Sequence, residues 1–432
     1  MKGKQGNSAI LLLLLGLLLS ACRPVATVTP TVTTAPILTD TPVASTDTPS
    51  VPPTETPFIP QPPTMTPPTL GPAIPHLKTG QRIDITYIHM ISTTAGWGIG
   101  GQNQASDHVF RTRDGGTTWQ DVTPPEPIPQ DQDDSKAATG YYLDRNSAWI
   151  IYRLNQGFPV PDIAAVWRTN DGGASWQPTF LDTTFAGEGF YPSDMVFVDG
   201  QHGWFLIHMG GGMHHDYVSL YATDDGGVTW QALLTPYNDG GIQSLDKTGM
   251  AFFDERTGWL TIGNLGVANY MPLFYTNDGG STWQEINIPA PQAAPDLFEG
   301  SICELHSPQV FSQTSAKFAL NCKFFGGDSS ETYYYLYATL DGGSTWRILP
   351  YPGGSLEFFD ERTGLALGRS IYKTSDGGQT WTQVKQVNWD GQFSFVNENL
   401  GWAVAHNENE IALVKTTNGG VTWQEIEPRV AP

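Results

Sequence analysis

From about residue 83 onward the apolar positions fall into short runs separated by glycine-rich turns. Met195–Val198, Met250–Phe253 and Phe393–Val396 are compact apolar runs, whereas Ser219-Leu220-Tyr221-Ala222 and Tyr333-Tyr334-Tyr335-Leu336-Tyr337 lead into turns as alternating ones. A period of two, bounded by turn residues, predicts half-buried strands. The turns themselves repeat. Thr-x-Asp-Gly-Gly-x-Thr-Trp is written seven times, with its copies ending at Trp119, Trp176, Trp230, Trp283, Trp346, Trp381 and Trp423. Its acidic position is Asp114, Asp171, Asp225, Asp278, Asp341 and Asp376, with Asn418 in the last copy. The glycines admit positive φ in a tight reversal, the aspartate accepts N–H groups inside it, and the tryptophan brings a large apolar surface to the next strand.

A second pattern precedes each of these boxes: an apolar residue, an Asp- or Asn-like residue two positions on, and an aromatic after a small residue. It is most degraded in the fifth unit, where Lys317 replaces glycine and Phe318 tryptophan, and Leu365 closes the sixth. Its copies run Met90–Trp97, Tyr142–Trp149, Phe197–Trp204, Phe252–Trp259, Phe311–Phe318, Phe358–Leu365 and Phe395–Trp402. Each unit then reads as four antiparallel strands, with the second pattern turning the first strand into the second and the box turning the third into the fourth. The first such strand falls near Ile83–Met90 and the last near Trp423–Ile426, so every unit is complete in sequence. A recurrence at intervals of about 35 to 63 residues points to a propeller or solenoid. The expected fold is all-β: a single seven-bladed β-propeller of four-stranded antiparallel blades over residues 76–432.

The box resembles the Asp-box, or BNR repeat, of sialidases and sortilin-type receptors. Its pairing with the Phe-x-Asp-x-x-x-Gly-Trp pattern is most similar to the photosystem II stability and assembly factors, over about residues 83–428. The resemblance implies an exported seven-bladed propeller, lipid-anchored in some members, that binds a membrane-protein client with the help of a basic surface patch. Photosynthesis itself is not implied, and function does not follow from fold.

The N-terminus adds an address. Lys2 and Lys4 precede an apolar run, Ile10 to Leu19, too short to read as a spanning helix, and Leu19-Ser20-Ala21-Cys22 looks like a bacterial lipobox. Residues 1–22 are therefore expected to be a lipoprotein signal with Cys22 the lipidated residue, anchoring the protein to the outer face of the cell membrane. Residues 23–75, dominated by proline and threonine, cannot bury a core and read as a disordered, polyproline-like tether.

Composition narrows the partners. A formal charge of −21, from 22 Lys and Arg against 43 Asp and Glu, argues against nucleic acid and against an electrostatic grip on anionic lipid. It also departs from the basic patch that the resemblance implies. Apart from Cys22 there are two cysteines, Cys303 and Cys322, both in the fifth unit. Export favours a disulfide between them. The alternative is two buried thiols, because around a turn near Thr314 and Ser315 they are not directly opposite.

Both signatures lie on one face of the propeller, which makes that face architectural. The irregular loops gather on the other, where binding is expected: Pro124–Lys136 with Asp131 and Asp133, Asp182–Ser193 with Tyr191, Asp239–Lys247, and Ala290–Gly300. Met209–Asp216 is the oddest connection, with His208 before it and His214-His215-Asp216 at its end. Imidazole and carboxylate suit zinc, copper or nickel, but adjacent residues seldom chelate one ion, so a partner contact is the expectation and no metal is assigned. Asp131-x-Asp133-x-Ser135 has the opening of a calcium loop, yet it lacks the glycine at the sixth position and the closing glutamate. Trp389 and Asp390, with Tyr191 and Asp194, are candidates for the mouth of the central channel.

An enzyme reading fares less well. Arg82-Ile83 is followed by Asp84 where sialidases carry proline, no arginine triad is assignable, and no nucleophile elbow, zincin helix or phosphate loop is present. Asp84, Asp194, Asp246 and Asp390 could supply a glycosidase's carboxylates, but nothing in the sequence pairs any two. The expectation is a monomeric, cofactor-free, non-enzymatic propeller that binds a protein client and serves assembly, stabilisation or scaffolding of an envelope complex. A glycan-binding or glycan-cleaving propeller is the alternative.

Overall fold

The computed structural model describes residues 70–432 apart from 130–134, 155–162, 184–188, 213–214, 237, 239–241, 243–244, 265, 267–268, 327–328 and 409. The signal, Cys22 and most of the threonine- and proline-rich segment lie outside the described residues. Every helix or strand among the described residues is a strand.

The strands fall into consecutive antiparallel groups. Group A is Asp84–Met90, Gly96–Gly101, His108–Thr112 and Thr118–Asp121; group B is Lys136–Tyr142, Ala148–Leu154, Ile163–Thr169 and Gln177–Asp182. Group C is Tyr191–Phe197, Gly203–Gly212, His215–Thr223 and Gln231–Leu234; group D is Asp246–Phe252, Gly258–Gly263, Met271–Thr276 and Gln284–Ile288. Group E is Ser301–Leu305 continued by Gln309–Val310, then Ala316–Gly326, Ser329–Thr339 and Arg347–Pro350. Group F is Ser355–Phe358, Gly364–Leu367, Ser370–Thr374 and Thr382–Gln386; group G is Asp390–Phe395, Gly401–Asn407, Glu410–Thr416 and Gln424–Ile426. Within each group neighbours in sequence are neighbours in the sheet, and one pair, Gly263 with Glu304, joins D to E.

Neighbouring groups pack side by side, and the last meets the first. The first strands of B, C, D and E pack in that order. Gln309 of E bonds to the backbone of Leu356 and Phe358 in F, and Glu357 of F accepts the N–H of Phe395 in G. Gln392 and Ser394 of G accept the N–H groups of Ile88 and Met90 in A. Four-stranded antiparallel sheets stacked in this way are the architecture of a β-propeller.

The repeated turns act as their chemistry requires. In the box at Asp225, Thr223 Oγ1 donates to one carboxylate oxygen and accepts the N–H of Gly227, while Thr229 donates its N–H to one oxygen and its hydroxyl to the other. Asn418 reproduces the pattern with its amide donating to Thr422. Gly226 sits at φ 72°, and a Cβ there would lie 2.6 Å from the carbonyl oxygen of Gly200. The same glycine donates its N–H to Gln201 O in the second signature, and equivalent bonds run from Gly115, Gly172, Gly279, Gly342, Gly377 and Gly419. Both signatures of a group are thus fastened to each other, on one face.

The signature tryptophans work between groups. Trp149 donates its indole N–H to Gly226 O in the next box, Trp204 to Gly279 O, and Trp402 of the last group to Gly115 O of the first. Group E, where Phe318 replaces the tryptophan, uses a different device. Lys317, in the place of the usual glycine, donates Nζ to the main-chain oxygen of Glu361 in group F and lies 3.6 Å over the Phe358 ring.

Three features differ from the sequence reading. The C-terminal Arg429–Val430 forms a fifth strand in group A, parallel to Thr118–Asp121. Gly80 and Ile83 donate N–H groups to Val430 and Pro428, which holds this strand against group A. Residues 72–75, at the end of the segment read as tether, pack on the loop after group A: Ile74 is buried and bonds to Glu126 O, and Ile128 bonds to Pro72 O. Finally, Cys303 and Cys322 form the disulfide that export favoured, but they stand directly opposite each other, which the expected turn did not allow. The turn is centred earlier than expected, with Phe311 N–H bonded to Ser315 O. An extra residue between Leu305 and Gln309 then absorbs the remaining offset, since their partners are Leu320 and Lys317.

Candidate functional site

The loop face begins where each first strand begins, so its mouth is set by Asp84, Lys136, Tyr191, Asp246, Ser301, Ser355 and Asp390. Several candidate residues prove to be occupied elsewhere. Asp390 makes a two-pronged ion pair with Arg369, at 2.9 and 2.6 Å, and that hydrogen bonding holds its carboxyl below the usual range. Such a group is a poor proton donor. Asp84 accepts the N–H of Gln104 at 2.9 Å. Trp389 packs on Phe393 and edge-on against Trp423, with ring centroids 5.6 Å apart, inside its own group G. Asp131, Asp133 and His214 lie outside the described residues.

What the fold does assemble is a set of ionisable groups where C meets D. His215 and Leu245 form a parallel bridge between the two groups. Beside it, His208 from the second strand of C bonds through Nδ1 to the Asp216 carboxylate at 2.9–3.0 Å, from the third strand. Asp246 opens the first strand of D, and its carboxylate reaches the same spot: one donor atom each of His208, Asp216 and Asp246 lie within 4.8 Å of one another. Asp216 is buried and further fixed by the N–H of Lys247 at 3.0 Å. The Lys247 ammonium donates to the main-chain oxygens of Asp216 and Leu245.

Charge within this set is unbalanced. Burial raises the Asp194 carboxyl, against the hydrogen bond from Ser193 and the nearby His208. Burial, then the charge of Asp216, raises Asp246, with Glu304 adding to it. Burial works against a charged His208, but Asp216, Asp246 and Asp194 together outweigh it and raise its pKa. Tyr191, exposed, faces His208 across the strand pair. His215 points elsewhere, its ring stacked on Tyr217.

The sequence named Asp194 and Asp246 as mouth residues and grouped His214 and His215 with Asp216. Of these, His214 lies outside the described residues, His215 stacks on Tyr217, and it is His208 that bonds to Asp216. His208 lies eight residues before Asp216, and only the hairpin register brings them together. Asp246 comes from the next group, so no local spacing could have found it. Two further clusters were missed. His306, Asn321 and Tyr351 form a hydrogen-bonded chain, with Asn321 Nδ2 2.6 Å from His306 Nε2 and the Tyr351 hydroxyl donating to Asn321 Oδ1 at 2.8 Å. It edges a cleft between D, E and F that includes Thr248, Gln309 and Ser355. Glu126, inside the Pro124–Lys136 loop, is buried, receiving the indole N–H of Trp167 and the ammonium of Lys136.

The loop face is also uneven in height. The second and third strands of E each run 11 residues, against 6 for those of D. At about 3.3 Å per residue the E hairpin reaches on the order of 15 Å further. Phe324 and Tyr333 are exposed on it, as is Tyr217 on the long hairpin of C. The Cys303–Cys322 disulfide ties the first strand of E to this hairpin.

No family model matches the chain, and no curated protein does. Among solved structures it is similar to YCF48 from Cyanidioschyzon merolae, at 16% identity over 79% of this chain and 97% of that one, with a TM-score of 0.45. It is similar also to a family PL25 ulvan lyase, at 11% identity over 82% and 96%, with a TM-score of 0.42. A third is the GH74 xyloglucanase of Xanthomonas campestris, at 14% identity over 80% and 68%, with a TM-score of 0.36.

Proposed function

We propose that the groups A to G are the seven blades of one closed Asp-box propeller, carried on a lipid-anchored tether outside the cell membrane, that binds a protein client through its loop face. In this reading the protein serves assembly, stabilisation or scaffolding of an envelope complex. The observation that carries it is the pair of long hairpins in C and E, which raise Tyr217, Phe324 and Tyr333 into solvent on a disulfide-braced support. Exposed aromatics on rigid strands are what a protein interface uses as anchors. Ring-wide fastening of the opposite face by box and signature supports assigning recognition to the loops.

A cross-linked pull-down from native membranes with the full lipoprotein tests this. The comparison is the triple variant Tyr217→Ala, Phe324→Ala, Tyr333→Ala, after its melting temperature has been matched to wild type. A client retained by wild type and lost by the variant is expected; equal background in both overturns the reading.

A second reading, a carbohydrate-active propeller, is favoured by one observation: carboxylates of Asp216 and Asp246 share the mouth with half-buried Asp194. Turnover or binding in a glycan screen that is lost in Asp194→Asn would replace the first reading with this one.

A further inference from the structure

We infer that His208, Asp216 and Asp246 form a binding site for one divalent metal ion of the zinc type, where C meets D on the loop face. The inference goes beyond the client-binding reading and does not depend on it.

Three strands from two groups deliver one donor atom each to a space within 4.8 Å. The donor set, one imidazole nitrogen and two carboxylate oxygens, is that of a three-ligand site with a coordination position left over. An imidazole among the donors separates this set from an acidic surface patch, and it favours a borderline cation over calcium, which takes oxygen donors. The donors differ in freedom. Asp216 is buried and held by His208 and by the Lys247 N–H, so it forms the fixed floor. Asp246 is exposed at the start of its strand and free to turn. Zinc–ligand bonds of about 2.0–2.2 Å set tetrahedral donors roughly 3.5 Å apart. His208 and Asp216, at 2.9–3.0 Å, already stand that close, so the adjustment falls to Asp246. Binding therefore draws the Asp246 carboxylate inward onto Asp216 and His208.

The surroundings suit a cation. Asp194 lies near His208 and Glu304 near Asp246, so among the described residues four carboxylates share this corner with the Lys247 ammonium. That ammonium bonds to the main-chain oxygens of Asp216 and Leu245. A carboxylate near a ligating imidazole is the usual outer partner of such sites and orients the ring. The solvent-facing side, by Asp246 and Tyr191, leaves the remaining coordination position open to water or to a donor from a bound partner.

The test is calorimetric titration of zinc(II) into the untagged, chelator-stripped full chain, with cobalt(II) absorption as a second probe and calcium(II) as the contrast. One equivalent of zinc is expected, with cobalt giving the visible bands of a low-coordinate site and calcium giving no binding. Asp246→Asn, an exposed substitution, is expected to weaken zinc by more than the roughly 10- to 100-fold cost of losing an outer-shell partner. His208→Ala is expected to abolish it, with circular dichroism reporting that the fold is kept. No stoichiometric zinc binding, calcium binding in its place, or zinc binding of unchanged affinity in Asp246→Asn would each overturn the inference.

Discussion

The indole N–H of Trp402 donates to the carbonyl oxygen of Gly115 at 2.8 Å, across 287 positions of sequence. Trp402 is fully buried, and the bond joins the last group of strands to the box of the first. The equivalent tryptophan of group D, Trp259, is as deeply buried but its indole nitrogen has no hydrogen-bond partner. The two therefore separate packing from bonding. Trp402→Phe strands a carbonyl in the ring's closing joint and should cost about 1–3 kcal/mol in a denaturant titration. Trp259→Phe loses ring area but removes an unsatisfied donor, and should cost clearly less. Equal losses would mean that the bond to Gly115 contributes nothing.

The boxes make a prediction about charge. Hydroxyl and N–H donors hold Asp171 at about 2, Ser175 contributing most, and Asp376 at about 2 through Thr380. A carboxyl lowered on folding contributes stability that is present above its unfolded pKa and lost as pH falls through its folded one. The fold should therefore weaken between about pH 4 and pH 2. Asp225→Asn, copying Asn418, should be nearly neutral at pH 7, whereas Asp225→Ala should cost about 1–3 kcal/mol. Thermal melts at pH 7 check both; an asparagine as damaging as alanine would refute the account of the turn.

Much of this was legible from the chain because the signatures are local. Threonine, aspartate and glycine close their own turn within a few residues, so the repeat announces both the turn and its period. What escaped reading was held by distant partners. Lys317 looked like a decayed signature, yet it bonds to Glu361 and covers Phe358, supplying the joint that Phe318 cannot. The cysteines looked offset because a bulge of one residue cannot be counted from spacing. His208, Asp216 and Asp246 meet only through a hairpin register and a bridge between groups. Asp390 looked free until Arg369, in a loop almost too short to notice, was found against it.

Lys317 is testable as a substitute joint. Burial pulls its ammonium down to about 8, with Glu361 and Asp360 opposing. Lys317→Met keeps the aliphatic stem but removes the bond to Glu361 and the charge over Phe358. The expected cost is about 1–3 kcal/mol in urea unfolding at pH 7. A neutral result would leave the packing of Phe318 as the whole of that joint.

Glu357 shows how the inner joints respond to pH. At the joint between E and F, Gln309 both donates to Leu356 O and accepts the N–H of Phe358, each at 2.9 Å. At the joint between G and A, Gln392 does the same with Ile88, at 3.0 and 2.9 Å. Between F and G the N–H of Phe395 is accepted at 3.2 Å by a carboxylate, Glu357, which stands in its strand where Ser394 stands in G. Burial pushes its carboxyl up to about 7 from an ordinary 4.5, the bond from Phe395 opposing. The folded protein thus holds a proton there that the unfolded chain releases. For an acid raised on folding, the contribution is full below the unfolded pKa and is lost as pH rises through the folded one. Wild type should lose stability between about pH 4.5 and pH 7, by at most about 3 kcal/mol from this group. Glu357→Gln replaces the carboxyl by an amide of the kind Gln309 and Gln392 use at the neighbouring joints, and has no titrating proton. Its stability should match wild type near pH 4.5 and exceed it at pH 8, in denaturant titrations run at both. A substitution that destabilises at both pH values would mean that the pocket around residue 357 is shaped for a carboxyl and not for the amide its neighbouring joints employ.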